Sequence, residues 1–140
     1  MMQVVDTFIL VADDTKALQS RRPPDRPDAP TLAKLQYDLL TAEPYRYNLM
    51  DFLFEIHCRK QRLGDDERQE IRDEFYARGH ACMRASPLTK TYGFGAHYDQ
   101  QGRIAIYPME SDHYRKLASQ PGLKVEKAMR NSRQSALATA

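Results

Sequence analysis

The chain has little of what would tie it to an oxidising compartment or to a membrane. Only two of its 140 residues are cysteines, Cys58 and Cys82, and two thiols make no disulfide framework. No apolar run approaches the roughly 20 residues that a membrane-spanning helix requires. The first residues also lack the basic and long apolar regions of a secretory signal. We therefore expect a cytoplasmic protein with reduced thiols and no membrane partner.

Net charge is also low, because 21 basic and 19 acidic residues leave +2 at pH 7. This balance argues against a dedicated binder of duplex nucleic acid, which normally presents a strongly basic face. The charge is unevenly distributed, however. Residues 1–79 contain 12 basic and 15 acidic side chains, whereas residues 80–140 contain 9 basic and 4 acidic ones. An anionic group is therefore expected to favour the C-terminal half of the chain.

The pattern of apolar residues and turn formers predicts one α+β domain over residues 1–133, followed by a flexible tail at 134–140. We expect a single five-stranded sheet, mixed or mostly antiparallel, with three helices packed on it. The predicted strands cover residues 7–12, 52–60, 93–98, 103–108 and 124–129, and the predicted helices cover residues 31–42, 65–78 and 111–119. The proline-rich residues 13–30 are interpreted as an extended surface loop, because proline fixes φ and removes a hydrogen-bond donor.

Residues 52–60 form the longest of the predicted strands. Apolar Phe54, Ile56 and Cys58 alternate there with polar residues, which is the period-two pattern of a half-buried strand. On this interpretation Cys58 is a buried, inert thiol. Glu55 and His57 would share the opposite face, where they could act together as an acid and a base.

The segment from Arg84 to Gly95 is the strongest candidate for a binding loop. It contains two cations, three Ser or Thr hydroxyls, a tyrosine and two glycines, a mixture that helix or strand formation alone does not require. Guanidinium groups and hydroxyls together suit a carboxylate or a phosphate. We therefore predict a site for a small anionic ligand, or for an acidic group of a partner, formed by Arg84, Ser86, Thr89, Lys90, Tyr92 and Arg130. The alternative is that Arg84 binds carbonyls of its own loop.

Two other classes of function stay open at this point. The first is an enzyme of unknown reaction that uses Glu55 with His57, or Cys82, as its reactive group. The second is a binder of single-stranded nucleic acid, whose bases would stack on sheet aromatics beside cations. The aromatic signature of the commonest RNA-binding sheets is absent, so we regard nucleic acid as the less favoured partner.

No metal or cofactor is assigned. His80 and Cys82 are spaced as two soft ligands, but no CxxC or HxxxH pair accompanies them. The Gly93-Phe94-Gly95 triplet is too short for a dinucleotide fingerprint, and no glycine-rich turn leads into a helix as in a P-loop. The pattern makes no prediction about the oligomeric state.

Two stretches give the chain a family likeness: Cys82–Gly95, which reads CMRASPLTKTYGFG, and Lys127–Arg133, which reads KAMRNSR. With shorter matches at residues 7–12, 36–37, 44–47 and 53–57, the chain resembles a mostly bacterial family of small proteins catalogued as a domain of unknown function. The shared motifs are R-A-S-P-L-T-K-x-Y-G-x-G and K-A-M-R-x-S-R. The resemblance departs mainly in the proline-rich loop. It implies one full-length domain and brings no activity, cofactor or catalytic residue with it.

Overall fold

A computed structural model describes residues 3–132, which build a four-stranded sheet with helices on it. The strands are β1 (Thr7–Leu10), β2 (Phe94–Tyr98), β3 (Ile104–Pro108) and β4 (Lys124–Lys127), in the spatial order β3-β2-β1-β4. β1 pairs antiparallel with β2 and parallel with β4, and β2 pairs antiparallel with β3. The predicted α+β class with a mixed sheet is therefore confirmed. The predicted tail at 134–140 lies outside the described residues.

Five helices and a short 3₁₀ turn complete the described part of the chain. The helices are α1 (Leu32–Ala42), α2 (Leu49–Gln61), α3 (Asp65–Ala77), α4 (Pro87–Lys90) and α5 (Asp112–Ala118), and the 3₁₀ turn covers Met83–Ala85. Four of the helices begin at a side-chain cap that accepts a backbone N–H, and these caps are Thr31, Asn48, Ser86 and Ser111. Within residues 3–132, no helix is long and apolar enough to cross a membrane.

The predicted count of five strands and three helices was wrong, and residues 52–60 account for the missing strand. They lie inside α2, which begins at the Asn48 cap and ends where Arg62 adopts a left-handed φ of 56°. Phe52 and Ile56 pack into the main core, whereas Phe54 and Cys58 pack against Phe75 of α3. Because α2 is buried on two sides, its apolar residues alternate as they would in a strand.

The two faces of the sheet are covered differently. Side chains from β1, β2 and β3 form the main core with α1, α2 and α4, and they include Ile9, Phe94, Ala96, Tyr98 and Ile104. On the opposite face, Phe8 packs edge-on against Tyr114 of α5, with their ring centroids 5.1 Å apart. Gly95 lies beneath both rings, so its lack of a side chain allows α5 to approach the sheet.

The proline-rich loop is attached to the domain at several points. The backbone N–H of Arg21 donates to the carbonyl of Tyr92 (3.0 Å), and Ser20 donates from both its backbone and its hydroxyl to the carboxylate of Glu110. Gly93 adopts a φ of 83° where the loop crosses it, and a Cβ there would lie 2.9 Å from the carbonyl oxygen of Gln19. The first part of the loop is therefore packed against the segment that precedes β2.

We predict that Gly95→Ala destabilises the protein by about 1–3 kcal/mol, the usual cost of overpacking a close contact. The added Cβ would lie 2.5 Å from Phe8 and 2.7 Å from Tyr114. Gly79→Ala is the matched control, because nothing lies within 4 Å of a Cβ at that position. Urea unfolding monitored by circular dichroism measures both variants. Equal unfolding midpoints for Gly95→Ala and Gly79→Ala would contradict this account of the α5 contact.

Candidate functional site

The segment from Arg84 to Gly95 is shaped by hydrogen bonds within the protein. The Thr89 hydroxyl is fully buried and donates to the carbonyl of Met83 (2.7 Å), which joins the 3₁₀ turn to α4. The backbone carbonyl of Thr89 accepts from the N–H of Ala12 at 3.1 Å, which ties α4 to the end of β1. The Thr89 side chain therefore holds the segment in place from inside the fold.

Ser86 has a similar internal role. Its hydroxyl donates to Oε1 of Gln36 in α1 at 2.5 Å and accepts the backbone N–H of Leu88 at 3.1 Å, so it caps α4. Only 4% of Ser86 is exposed. Its hydrogen bonds thus connect α4 with α1, and both are made within the protein.

Arg84 and Arg130 both contact groups of the chain itself. Nε of Arg84 donates to the carbonyl of Lys127 (2.8 Å) and lies 3.9 Å from the carboxylate of Glu126. Arg130 lies 3.7 Å from the carboxylate of Asp13. These contacts attach the residues around β4 to the rest of the domain, which is the structural alternative considered for Arg84 from the sequence.

Lys90 and Tyr92 lie next to open space instead. Lys90 lines a surface cavity of about 620 Å³, which we call the cationic cavity. The Tyr92 ring lies beneath the guanidinium of Arg21, whose central carbon is 4.7 Å from the ring centroid. Arg21 belongs to the proline-rich loop and also lines the cationic cavity. The remaining lining residues are Asp14, Lys16, Ala17, Leu18, Gln19, Thr91 and Asn131.

The cationic cavity has an excess of positive charge. Lys16, Arg21 and Lys90 form no ion pair and no side-chain hydrogen bond with any residue from 3 to 132, although Arg21 makes the cation–π contact above. One carboxylate, Asp14, lies among them. Concave surfaces lined by one sign of charge concentrate counter-ions. The arrangement is therefore suited to holding an anionic group.

The carboxylate of Asp14 accepts hydrogen bonds from the C-terminal part of the described chain. Its carboxylate accepts the backbone N–H of Asn131 (2.9 Å), the Asn131 side-chain amide (3.2 Å) and the backbone N–H of Ser132 (3.0 Å). The hydrogen bond from the Asn131 backbone is the largest of the influences that lower the pKa of Asp14 from its ordinary value. Asn131 also donates to the carbonyl of Lys90, so Asp14 anchors one wall of the cavity.

Of the residues predicted for the site, Lys90 and Tyr92 lie in this region, and the cations that the loop contributes were not among the predicted residues. Lys16 and Arg21 were assigned to a solvated connection. Gly93 was the available signal, because a glycine that needs a positive φ indicates that another stretch of backbone passes close by. It does not reveal which stretch that is.

The proposed acid–base pair of Glu55 and His57 is not formed. Residues two apart in a helix are separated by about 200° around its axis, so the two side chains leave α2 in different directions. Glu55 accepts hydrogen bonds from Arg59 (2.7 Å) and Arg68 (3.0 Å). Burial alone would raise the pKa of Glu55, but these two hydrogen bonds outweigh it and hold the pKa below its usual value. His57 packs near Phe75.

The sulfur-containing and histidine side chains do not assemble into a metal centre. Between residues 3 and 132, no group of three or more His, Cys, Asp or Glu side chains is arranged to hold a metal ion. Cys58 is fully buried, and burial raises the pKa of its thiol. Sγ of Cys82 accepts the backbone N–H of Arg84 at 3.4 Å and thereby caps the 3₁₀ turn.

The sheet aromatics do not form an exposed stacking platform. Phe94 and Tyr98 are buried in the main core, and the Tyr98 hydroxyl accepts the backbone N–H of Met83 at 2.9 Å. On the other face, the Tyr45 hydroxyl is hydrogen-bonded to Nδ1 of His97 (2.8 Å) and to the Tyr107 hydroxyl (2.7 Å). Burial lowers the pKa of His97, so its imidazole is neutral at pH 7. These rings pack the domain together.

Comparison with known proteins identifies the family. Residues 1–134 match the family of unknown function DUF6157, and the chain belongs to that family. No curated protein matches the chain. No solved structure matches it either. The functional argument therefore rests on the geometry of the site.

The internal role of Ser86 can be tested by removing its hydroxyl. Ser86→Ala leaves a buried amide oxygen of Gln36 without its donor, so we expect a loss of about 1–3 kcal/mol in the free energy of unfolding. Ser119→Ala is the control, since the Ser119 hydroxyl is exposed at the end of α5. Urea denaturation measures the unfolding midpoint of both variants. An unchanged midpoint for Ser86→Ala would show that this hydroxyl does not hold α4 in place.

Asp14 should make the fold sensitive to acid. Its pKa is lower in the folded state than in the unfolded chain, so its stabilising effect is present above the ordinary aspartate pKa of about 4 and is lost as the pH falls further. We expect Asp14→Asn to flatten the decline in urea midpoint between about pH 5 and pH 3. Asp28→Asn, in an exposed stretch of the proline-rich loop, is the control. If the urea midpoint of Asp14→Asn falls with pH as steeply as that of the wild type, the anchoring role of Asp14 is contradicted.

Proposed function

We propose that this protein binds a small anionic ligand, or an acidic group presented by a partner, in the cationic cavity beside residues 84–95. One observation supports this more than any other: Lys16, Arg21 and Lys90 line a single cavity, and none of them is neutralised by an acid within residues 3–132. The volume of about 620 Å³ lies in the range of small-molecule sites, roughly 300–1,000 Å³.

The other cations of this region provide a useful contrast. Arg84, Arg130 and Lys127 each contact a carbonyl or a carboxylate of the chain, as cations with a structural role do. The cations of the cavity have no such contacts with residues 3–132, even though the acidic Asp14 is close by. Asp14 is saturated by N–H donors from Asn131 and Ser132 instead. A carboxylate or phosphate is therefore the chemical group that would complete this site.

The three cations offer different kinds of contact to such a group. The Arg21 guanidinium lies over the Tyr92 ring, which restricts its orientation while leaving the N–H groups at its edge available for two parallel hydrogen bonds. Lys16 and Lys90 supply ammonium charges, and Thr91 adds a hydroxyl to the same wall. Arg84, Ser86 and Thr89 act in this proposal as the frame that positions Lys90.

We expect phosphate, sulfate or citrate to bind in a saturable manner, with an affinity that falls as ionic strength rises. Lys90→Gln and Lys16→Gln should each weaken binding roughly tenfold, because a hydrogen bond to a charged group contributes about 1.5 kcal/mol. Isothermal titration calorimetry measures these affinities. Thermal unfolding with and without ligand gives an independent check, since a ligand that binds only the folded state raises its melting temperature.

Lys116→Gln is the matched control, because Lys116 is an exposed lysine on α5 that lines none of the cavities described here. Its removal should leave binding unchanged. Lys90→Gln should also keep the stability of the wild type within about 0.5 kcal/mol, since the Lys90 side chain forms no ion pair with any acid in the described part of the chain. The proposal fails if no anion binds, or if Lys116→Gln weakens binding as much as Lys90→Gln does.

A further inference from the structure

We infer that the ligand carries an apolar chain attached to its anionic head, and that this chain runs from the cationic cavity over α4 into a separate apolar cavity. The inference rests on the proposed function and narrows its ligand to a single-chain amphiphile, such as an alkyl carboxylate or alkyl phosphate. It is drawn from the order in which three cavities share their walls along the surface.

The three cavities follow one another without a gap in their linings. A middle cavity of about 470 Å³ shares Lys90, Thr91 and Asn131 with the cationic cavity. The middle cavity in turn shares Leu32 and Pro87 with a third cavity of about 270 Å³, which we call the apolar cavity. A ligand longer than the cationic cavity would therefore reach the other two by crossing the start of α1 and α4.

The number of cations falls along this path. The cationic cavity is lined by three cations that form no ion pair within residues 3–132, whereas the apolar cavity is lined by one, Lys60, beside hydrocarbon from Leu53, Ile56, Phe75 and Met83. Polar groups at the apolar end are partly satisfied within the protein, since Nε2 of His80 donates to the carbonyl of Phe75 at 2.8 Å. A head with negative charge and a tail without charge would match the two ends.

Exposed leucines lie along the same path. Leu18, at the cationic cavity, is 95% exposed, and Leu32, at the wall between the middle and apolar cavities, is 38% exposed. Apolar surface left in water is unfavourable in proportion to its area. An alkyl chain that covers Leu32 would remove part of that cost, which a compact inorganic anion cannot do.

An extended peptide fits the path less well than an alkyl chain. Peptides that bind in extended form usually pair with the edge of a sheet, where their backbone N–H and C=O groups find partners. The three cavities are lined by helices and loops, and no residue of β3 or β4 is among their walls. An alkyl chain has no backbone groups to satisfy.

The test is a chain-length series measured by calorimetry below the critical micelle concentrations. Inorganic phosphate, butyl phosphate, hexyl phosphate, octyl phosphate and decyl phosphate should bind with increasing affinity, by up to about fourfold per methylene while the chain is being buried. Lys90→Gln should weaken every member of the series. Leu32→Asn should reduce the gain per methylene and leave inorganic phosphate binding unchanged.

Val125→Asn is the matched control for Leu32→Asn, because Val125 is exposed to a similar extent, 36%, and lines none of the three cavities. Val125→Asn should leave the affinities of all members of the series unchanged. If phosphate binds and chain length has no effect, the inference is overturned while the proposed function stands. If no probe binds, both are overturned.

One further variant distinguishes the orientation of the ligand. Lys60 lies at the apolar cavity and is exposed, so it is the other cation that an anionic head could reach. Lys60→Gln should weaken the binding of octyl phosphate less than Lys90→Gln does. A tenfold loss with Lys60→Gln and none with Lys90→Gln would place the head at the opposite end and would overturn both the inference and the proposed function.

Discussion

The buried hydroxyl of Thr89 is the contact on which the arrangement of this domain depends. It joins the 3₁₀ turn to α4, and the carbonyl of the same residue joins α4 to the end of β1. Four residues that line the cationic cavity are connected to this point. Lys90 and Thr91 follow Thr89 directly, Asn131 donates to the Lys90 carbonyl, and Asp14 holds Asn131. A buried hydroxyl without a partner would be costly, so the segment has little freedom to rearrange.

Local signals were sufficient to predict much of the fold. The helices predicted at 31–42 and 111–119 are both present, and they begin where the side chains of Thr31 and Ser111 accept a backbone N–H. The strands predicted at 93–98 and 103–108 are also present, and they pair antiparallel across a turn in which Gly102 has a φ of 77°. In each of these cases the residues that determine the structure lie within a few positions of one another.

Helix α2 is an element that local signals did not predict correctly. Its alternating pattern arises because Phe52 and Ile56 face the main core while Phe54 and Cys58 face α3. A helix buried on two sides and a strand buried on one side can carry the same order of apolar and polar residues. Prediction of the site from local patterns has the same limitation. Arg84 contacts Lys127, and Ser86 contacts Gln36, so their partners are far away in the sequence and no local pattern indicates them.

The parallel pairing of β1 with β4 has a consequence for how the chain reaches its native state. Thr7 lies opposite Lys124, and β1 also needs β2 on its other side, so β1 has no complete set of neighbours until residues 94–127 have been synthesised. Pairings between such distant residues slow folding, because a long loop has to close before they form. The apolar Phe8 and Ile9 therefore reach their native neighbours only after the residues of β2 and β4 have been synthesised.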